Sequence, residues 1–260
     1  DLTIDGSFTL GGAIGALALV NGMPPVVALL LGSVGGAVAG MCTALLHTRI
    51  GVNRLLAGII SATILYSLNL RMMGRSNTSL ANISVVFDLL PAGPLRVAGG
   101  VALTLFVALL LFMLLRTDLG HFMRAAGENP KVAVRRGYTE ESLLLVSLPL
   151  ANALAGLAGG LAAQQQGFTD VGMGTGIVIM CLAAMLLGEA VFPPSNVPRL
   201  LGAGLLGMMI YNVLVTIGLR MGLNPWDLRL VTGALLIVAL VAKRYLFTRR
   251  ASSNIGSNPL

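Results

Sequence analysis

Few side chains in this sequence have the types and spacing that catalysis or metal binding requires. The two histidines, His47 and His121, are far apart along the chain and lie at the edges of apolar segments. Cys42 and Cys181 lie inside apolar runs, without a histidine or carboxylate at ligand spacing. No Walker-type phosphate loop and no His-Glu-x-x-His motif is present. The sequence therefore predicts no enzyme activity, no metal site and no cofactor in this chain.

Three glycines match the spacing of the dinucleotide-binding fingerprint, namely Gly202, Gly204 and Gly207. That motif follows a strand and opens a helix, whereas these glycines lie inside an apolar segment. Packing between membrane helices is the better interpretation, because small residues allow two helix backbones to approach closely.

Polar side chains within the apolar segments carry the remaining chemical signal. Burying an unpaired amide in hydrocarbon costs about 2–7 kcal/mol, so these side chains should face the interior of a helix bundle or an aqueous path. Two interpretations stay open: hydrogen bonds between helices, or a translocation path for a small polar solute. No Asp/Glu/His relay stands out, which disfavours a proton-coupled carrier. The candidate path residues are Tyr66, Asn69, Asn152, Gln164 and Asn212.

The stretch Arg116–Ser142 is the only long polar run between apolar blocks. Asn129 is a suitable N-cap, Pro130 suits the first helical position, and Gly137 can end a helix in a left-handed conformation. The pattern predicts a short helix with basic residues, and Thr139 is predicted to cap the following helix. Such a helix could contact a soluble partner, and an ordinary loop held by lipid headgroups fits the same pattern.

The composition places all of these features in a membrane. Of the 260 residues, 56% are hydrophobic and 10% are charged, against about 25% charged in soluble domains. A chain with so few charges cannot cover a water-facing surface, so we expect an all-α, polytopic transmembrane helical bundle. The net charge of +7 is explained by anionic lipid headgroups and the positive-inside rule, not by nucleic-acid binding.

Eight apolar segments are expected to be membrane elements, given that a span needs about 20 residues. The first is too short for a full crossing, which fits a re-entrant or broken helix, or the second half of an element whose start is missing. A single transmembrane domain is predicted over residues 1–250, followed by a polar tail at 251–260. The segments run approximately over Phe8–Val20, Pro25–Leu46, Val52–Leu70, Arg96–Leu115, Leu143–Ala163, Gly172–Leu187, Leu200–Leu219 and Leu228–Phe247.

Two features of the first segments concern packing. Asp5 precedes the first segment and should face protein or water, because a carboxylate is costly in bare lipid. The second segment carries Gly32, Gly36 and Gly40 at four-residue spacing, which predicts a smooth face for close helix packing.

The basic residues predict the orientation of the bundle. If the segments alternate and the Arg116–Ser142 run is inside, five of the 17 lysines and arginines fall outside, and the other 12 fall inside. This asymmetry agrees with the positive-inside rule. The five on the outer side are Arg71, Arg75, Arg96, Arg220 and Arg229.

Several blocks of the sequence resemble a known family. The block LGHFMRAAGENPKVAVRRGY resembles the cytoplasmic coupling segment of bacterial ABC importer permeases of the branched-chain amino acid and ribose type. The blocks DLTIDGSFTLGGA, YSLNLRMMGRSN and QQQGFTDVGMGTGIVIMCLAAMLLGE resemble a subgroup often called uncharacterised ABC transport permeases, which includes a proposed tryptophan importer. Together the blocks cover nearly the whole chain in order. In that family one more membrane helix normally precedes the Asp-Leu-Thr-x-Asp-Gly block.

The resemblance implies a function and a set of partners. Two permease copies would form the translocation path at their interface, in the bacterial inner membrane. ATP-binding subunits would hold ATP and Mg and carry out all hydrolysis, and an external solute-binding protein would deliver a small polar solute. Aromatic and other amino acids, nucleosides and sugars fit the resemblance. The alternative is an ion-coupled secondary transporter that acts without an ATPase.

The same resemblance assigns the coupling residues. The motif would receive the force of the ATP-binding subunits, and Gly127, Glu128, Asn129 and Pro130 would set its turn. Carried over from the motif, the coupling residues are Arg124, Ala125, Gly127, Glu128, Asn129, Pro130, Arg135 and Gly137.

Overall fold

The computed structural model describes residues 1–89, 93–128, 139–222, 227, 230–234 and 237. This part of the chain is almost entirely helical, which confirms the all-α prediction. The helices are α1 (Thr3–Val20), α2 (Pro25–Thr48), α3 (Arg54–Met73), α4 (Pro94–Arg116), α5 (Asp118–Glu128), α6 (Glu140–Gln166), α7 (Ile177–Val191) and α8 (Val197–Arg220). Two short strands, β1 (Asn77–Ser79) and β2 (Phe168–Asp170), and a 3-10 turn (Val86–Leu89) complete the described elements.

Six of the described helices are long and apolar enough to cross a membrane: α1, α2, α3, α4, α6 and α8. Helix α7 is apolar but has only 15 residues. Of the eighth predicted segment, 230–234 and 237 are described, and they are helical.

The first predicted segment differs most from the structure. It is a continuous helix of 18 residues that begins at Thr3 rather than Phe8, instead of a short re-entrant element. The physical reason is its environment, because 67% of this span is buried inside the protein. A helix surrounded by other helices can carry hydroxyl groups, such as those of Thr3 and Ser7, that lipid would disfavour.

The described chain divides into two compact units, Asp1–Thr175 and Gly176–Leu260. The prediction of one transmembrane domain over 1–250 stays a prediction, and the predicted tail at 251–260 lies outside the described residues.

In the first unit, α1 is the central helix and packs against α2, α3 and α6. Three glycines meet where α1, α2 and α6 converge. A Cβ atom added to Gly32 would lie 2.7 Å from the carbonyl oxygen of Gly11, one on Gly156 would overlap the carbonyl of Gly32, and one on Gly11 would overlap the backbone of Gly156. The backbones of three helices therefore touch at one point, which only residues without a side chain permit.

The glycine face of α2 continues along α6, as the four-residue spacing predicts. A Cβ on Gly36 would overlap the carbonyl of Asn152, and one on Gly40 would lie 2.5 Å from the carbonyl oxygen of Leu148. The prediction of close packing by Gly32, Gly36 and Gly40 is confirmed, and the register shows that α2 and α6 run antiparallel.

The two ends of the first unit agree with the predicted alternation of the spans. At one end, His47, Arg54 and Leu144 line the same cavity. At the other end, the Gln164 amide nitrogen donates to the carbonyl oxygen of Pro25 at 3.3 Å. The α2–α3 connection and the start of α6 therefore share one end, and the start of α2 and the end of α6 share the opposite end.

A small antiparallel sheet joins two connections of the first unit. Residue Thr78 of β1 faces Thr169 of β2 in register. Beyond β2 the chain runs non-helically along α1, where the backbone N–H of Gly174 donates to Thr9 Oγ1 at 3.0 Å. Because buried backbone groups need hydrogen-bond partners, this side-chain acceptor allows irregular backbone to pack against α1.

In the second unit, α7 and α8 cross at a reciprocal pair of glycines. A Cβ on Gly188 would overlap the carbonyl of Ala203, and one on Gly207 would overlap the carbonyl of Ala184. Gly202 and Gly204 lie within α8 and are not preceded by a strand, which excludes the dinucleotide-binding arrangement and confirms the helix-packing interpretation for Gly207.

Candidate coupling helix and polar core residues

The polar run Arg116–Ser142 contains a helix that the sequence analysis missed. Helix α5 (Asp118–Glu128) is strongly amphipathic. Its apolar positions Leu119, Phe122 and Met123 follow helical spacing, a signal that a search for caps alone overlooks. Thr139 does cap α6 as predicted, because its side chain accepts a hydrogen bond from the Ser142 N–H at 3.2 Å.

The predicted coupling residues divide into two groups. Arg124, Ala125, Gly127 and Glu128 lie on α5, with Gly127 and Glu128 at its end. The turn assigned to Gly127, Glu128, Asn129 and Pro130 stays a prediction, because its second half lies outside the described residues. The predicted short helix falls on residues outside the described ranges, and so do four predicted coupling residues, Asn129, Pro130, Arg135 and Gly137.

A tight elbow connects α4 to α5. Thr117 leaves helical geometry with φ −70° and ψ 164°, and its hydroxyl donates to the carbonyl oxygen of Leu114 at 2.6 Å. The carbonyl oxygen of Thr117 in turn accepts from the His121 N–H at 3.0 Å. One residue therefore ends α4 and opens α5, which fixes the angle at which the second helix leaves the first.

Arg124 reaches back across this elbow. Its Nη2 donates to the carbonyl oxygen of Leu115 in the last turn of α4 at 3.2 Å. The same nitrogen lies 2.7 Å from His121 Nδ1, and Nε donates to the carbonyl oxygen of Gly120 at 3.3 Å. Because a guanidinium can only donate, His121 Nδ1 acts as the acceptor. Arg124 therefore connects α5 to α4, in addition to any external contact.

Three of the five predicted path residues lie in the interior of the first unit. Asn69, Asn152 and Gln164 are 1%, 0% and 3% exposed. The Asn69 amide donates to the carbonyl oxygen of Gly6 on α1 at 3.3 Å, and the Asn152 amide donates to that of Leu148 at 2.9 Å. The Oδ1 atoms of both asparagines accept no hydrogen bond from the described residues. The Asn69 contact supports the interhelical interpretation, and the Asn152 amide also donates to Asp1 Oδ2, just before α1, at 2.6 Å.

The other two path residues lie on exposed helix faces. Tyr66 on α3 is 51% exposed, and Asn212 belongs to the second unit, where its amide donates to the carbonyl oxygen of Met208 on the same helix at 2.9 Å. The structure therefore does not gather the predicted path residues into one cluster within the first unit. Their assignment to a translocation path stays a prediction.

A buried chain of hydroxyl groups was missed by the sequence analysis. Thr3 Oγ1 lies 2.9 Å from Thr43 Oγ1, and the Thr43 hydroxyl reaches Ser61 Oγ at 2.7 Å, so the chain links α1, α2 and α3. Thr43 also approaches the carbonyl oxygen of Ala39. Single hydroxyl residues in helices often bond their own preceding turn, so no sequence signal distinguishes those that also bridge helices.

Gln164 joins three segments of the first unit. Its Oε1 accepts from the Val86 N–H in the 3-10 turn at 2.8 Å, and its Nε2 donates to the carbonyl oxygen of Pro25 at 3.3 Å. Both ends of the amide are used, so this buried residue holds the long α3–α4 connection against the ends of α2 and α6.

We expect Gln164→Leu to destabilise the protein by about 1–3 kcal/mol, because the Val86 N–H and the Pro25 carbonyl would lose their buried partner. Hydrogen exchange in detergent should show faster exchange of the Val86 amide. Gln165→Leu is the matched control, since the neighbouring Gln165 is exposed. Equal exchange rates in the two variants would contradict this role of Gln164.

Comparisons with known proteins agree on one family. The sequence profile of the family described as "Branched-chain amino acid transport system / permease component" matches residues 1–240. A protein of Clostridioides difficile named as a tyrosine transport system permease is 34% identical over 242 residues, which cover 93% of this chain and 81% of that protein.

Two further relatives show the breadth of the family. An uncharacterized protein of Rickettsia prowazekii is 30% identical over 244 residues, covering 92% of this chain and 86% of that protein. A fructose import permease of Rhizobium meliloti is 24% identical over 260 residues, covering 95% and 70% respectively. No solved structure matches the chain significantly.

Proposed function

Because the chain belongs to the permease family of branched-chain amino acid transport systems, we propose that it is the membrane subunit of an ATP-driven importer for an amino acid. As a member of this family with six helices able to span a membrane, it is a multi-pass protein of the bacterial inner membrane. The single observation that carries the proposal is the match over almost the whole chain to a relative named for tyrosine transport. That name favours an aromatic amino acid as the solute.

The proposed partners are an ATP-binding subunit, an external solute-binding protein and a second permease copy. The ATP-binding subunit would hold ATP and Mg and carry out the hydrolysis, so this chain would be no enzyme. Helix α5 supports the proposal of an ATP-binding subunit as a partner. It is an amphipathic helix at the end of a membrane-spanning helix, and it lies within the polar run that carries the family's coupling motif. An amphipathic helix can place its apolar face in a groove of a partner.

We expect the complete importer, reconstituted in liposomes with its ATP-binding subunit and binding protein, to take up labelled tyrosine only when ATP is supplied. The permease alone should take up none, with or without an ion gradient. Uptake by the permease alone on a sodium or proton gradient would instead establish the secondary carrier. Preferred uptake of labelled leucine or fructose over tyrosine would overturn the aromatic solute and leave the ATP-driven importer in place.

The assignment of the coupling motif is tested separately, by pull-down of the ATP-binding subunit. Reversing a basic charge of the coupling motif with Arg135→Glu should reduce the retained subunit by about tenfold, which corresponds to roughly 1.4 kcal/mol. Arg49→Glu is the control, because Arg49 is exposed in the α2–α3 connection, outside the motif. Equal retention by both variants would contradict the assignment of this segment.

A further inference from the structure

We propose that α4 and α5 move as one rigid body, and that Arg124 is the positioning residue that holds the elbow between them. The inference rests on the proposed function in one respect, because it takes α5 to be the helix that an ATP-binding subunit pushes. It goes beyond that function by naming the spanning helix that receives the motion and the side chain through which the motion passes.

The hydrogen bonds of the elbow are the first argument. The last carbonyl groups of a helix lack partners within the helix. At the end of α4, Thr117 provides a donor for Leu114 and Arg124 provides one for Leu115. Because Arg124 lies about two turns beyond the break at Thr117, its side chain closes a loop between the two helices. Opening the elbow would therefore leave the Leu115 carbonyl without this donor.

Close backbone contact is the second argument. A Cβ atom on Gly120 would lie 2.5 Å from the Cα of Leu115 and 2.6 Å from the carbonyl oxygen of Leu114. The first turn of α5 therefore rests directly on the end of α4. Bending the elbow further is opposed by this contact, and opening it is opposed by the bonds of Thr117 and Arg124.

The weak lateral support of α4 is the third argument. No residue of α4 is buried, and within the first unit α4 contacts α5 and the 3-10 turn Val86–Leu89. Helix α5 also contacts α6. Because α6 is anchored by glycine contacts to α1 and α2, whereas α4 has no comparable anchor within the described residues of the first unit, we expect a force on α5 to displace α4 before it displaces α6.

Arg124 could instead be a direct contact for the ATP-binding subunit, as the family motif implies. The two roles differ in what Arg124→Gln removes. A positioning role predicts that the variant still binds the subunit but no longer transmits its motion. A docking role predicts that the subunit itself is lost.

The experiment uses the complete importer with one spin label on α4 and one on α2. Met113 on α4 and Val38 on α2 are suitable sites, because both side chains are exposed. Cys42 and Cys181 are first replaced by alanine, so that the labels attach only at the chosen sites. Labels are placed in one permease copy per assembly. The distance between them is measured by pulsed EPR before and after trapping with ATP and vanadate, alongside pull-down of the ATP-binding subunit.

We expect the parent importer to show a trapping-dependent change in this distance. Arg124→Gln should lose most of that change while retaining the ATP-binding subunit at the parent level. Arg124→Lys should restore much of the change, because a lysine ammonium can still donate to the Leu115 carbonyl. Arg49→Gln, which removes one exposed positive charge from another connection, should behave like the parent.

Three results would overturn the inference. These are loss of the ATP-binding subunit in Arg124→Gln, an unchanged distance response in that variant, or no response of the α4 label in a parent importer that hydrolyses ATP. Failure of the proposed function looks different, since the parent chain would then retain no ATP-binding subunit at all.

Discussion

Alanine at Gly156 is expected to lower the melting temperature of the detergent-solubilised protein by roughly 2–12 °C. The added Cβ would overlap the carbonyl of Gly32 and crowd the Cα of Gly36 at 3.3 Å, so α6 must move away from α2. Overpacking of this kind costs about 1–3 kcal/mol, and each kcal/mol shifts the melting temperature of a protein of this size by about 2–4 °C. Gly11→Ala and Gly32→Ala should have effects of the same sign, because each glycine of the junction faces the backbone of the next helix.

The matched control is Gly100→Ala on α4. The nearest atom to a Cβ there is Phe87 Cε1 at 3.9 Å, an ordinary contact, and alanine favours the helix by up to about 1 kcal/mol over glycine. Its melting temperature should equal or exceed that of the parent. If alanine at Gly11, Gly32 or Gly156 gave the same melting temperature as Gly100→Ala, the three helices would not meet through these glycines.

Gly207→Ala is expected to reduce the stability of the second unit by about 1–3 kcal/mol, since its Cβ would overlap the carbonyl of Ala184 on α7. Gly204→Ala in the same helix should cost nothing, because no atom lies within 4 Å of its added Cβ. Stability can be measured by SDS titration of the purified protein, followed by proteolysis of the α7–α8 connection.

The reciprocal geometry of this crossing makes a further test. A Cβ on Gly188 would overlap the carbonyl of Ala203 across the same contact. Either substitution alone already forces α7 and α8 apart, so in the double variant Gly188→Ala, Gly207→Ala the second methyl group meets helices that are already separated. Its loss of stability should therefore be smaller than the sum of the two single losses, as is usual for residues in contact. Additive losses, or equal losses for Gly204→Ala and Gly207→Ala, would contradict the crossing.

The limits of sequence reasoning are clearest in the glycines of α2 and α8. In α2 the four-residue spacing correctly predicts a packing face. The backbones that Gly36 and Gly40 contact nevertheless lie more than 100 residues away in the chain, and Gly32 contacts both Gly11 on α1 and Gly156 on α6. In α8 the spacing does not distinguish Gly207, which lies at the crossing, from Gly204, which has open space around it. A pattern in one helix reports which face is smooth and carries no information about which backbone approaches it.

The polar run Arg116–Ser142 shows a similar division. Its polarity and the cap at Thr139 follow from local residue types, and the structure confirms the cap. The contact between Arg124 and the Leu115 carbonyl depends on the angle of the elbow, which Thr117 and Gly120 set together. The family resemblance assigned Arg124 to coupling with an external partner, and the sequence carries no local sign that this residue also has an internal acceptor.

By itself the sequence determined the class of this protein, the approximate positions of its membrane helices, the polar run between α4 and α6, and the family resemblance that the comparisons confirm. Those properties depend on composition and on short-range periodicity, which are present in the chain before it folds. Only the tertiary structure decided that α1 is the central helix and that Thr3, Thr43 and Ser61 form one hydroxyl chain. Those features arise where segments distant in sequence come within a few ångströms, and the energies that select one such arrangement belong to pairs of helices rather than to any single stretch of residues.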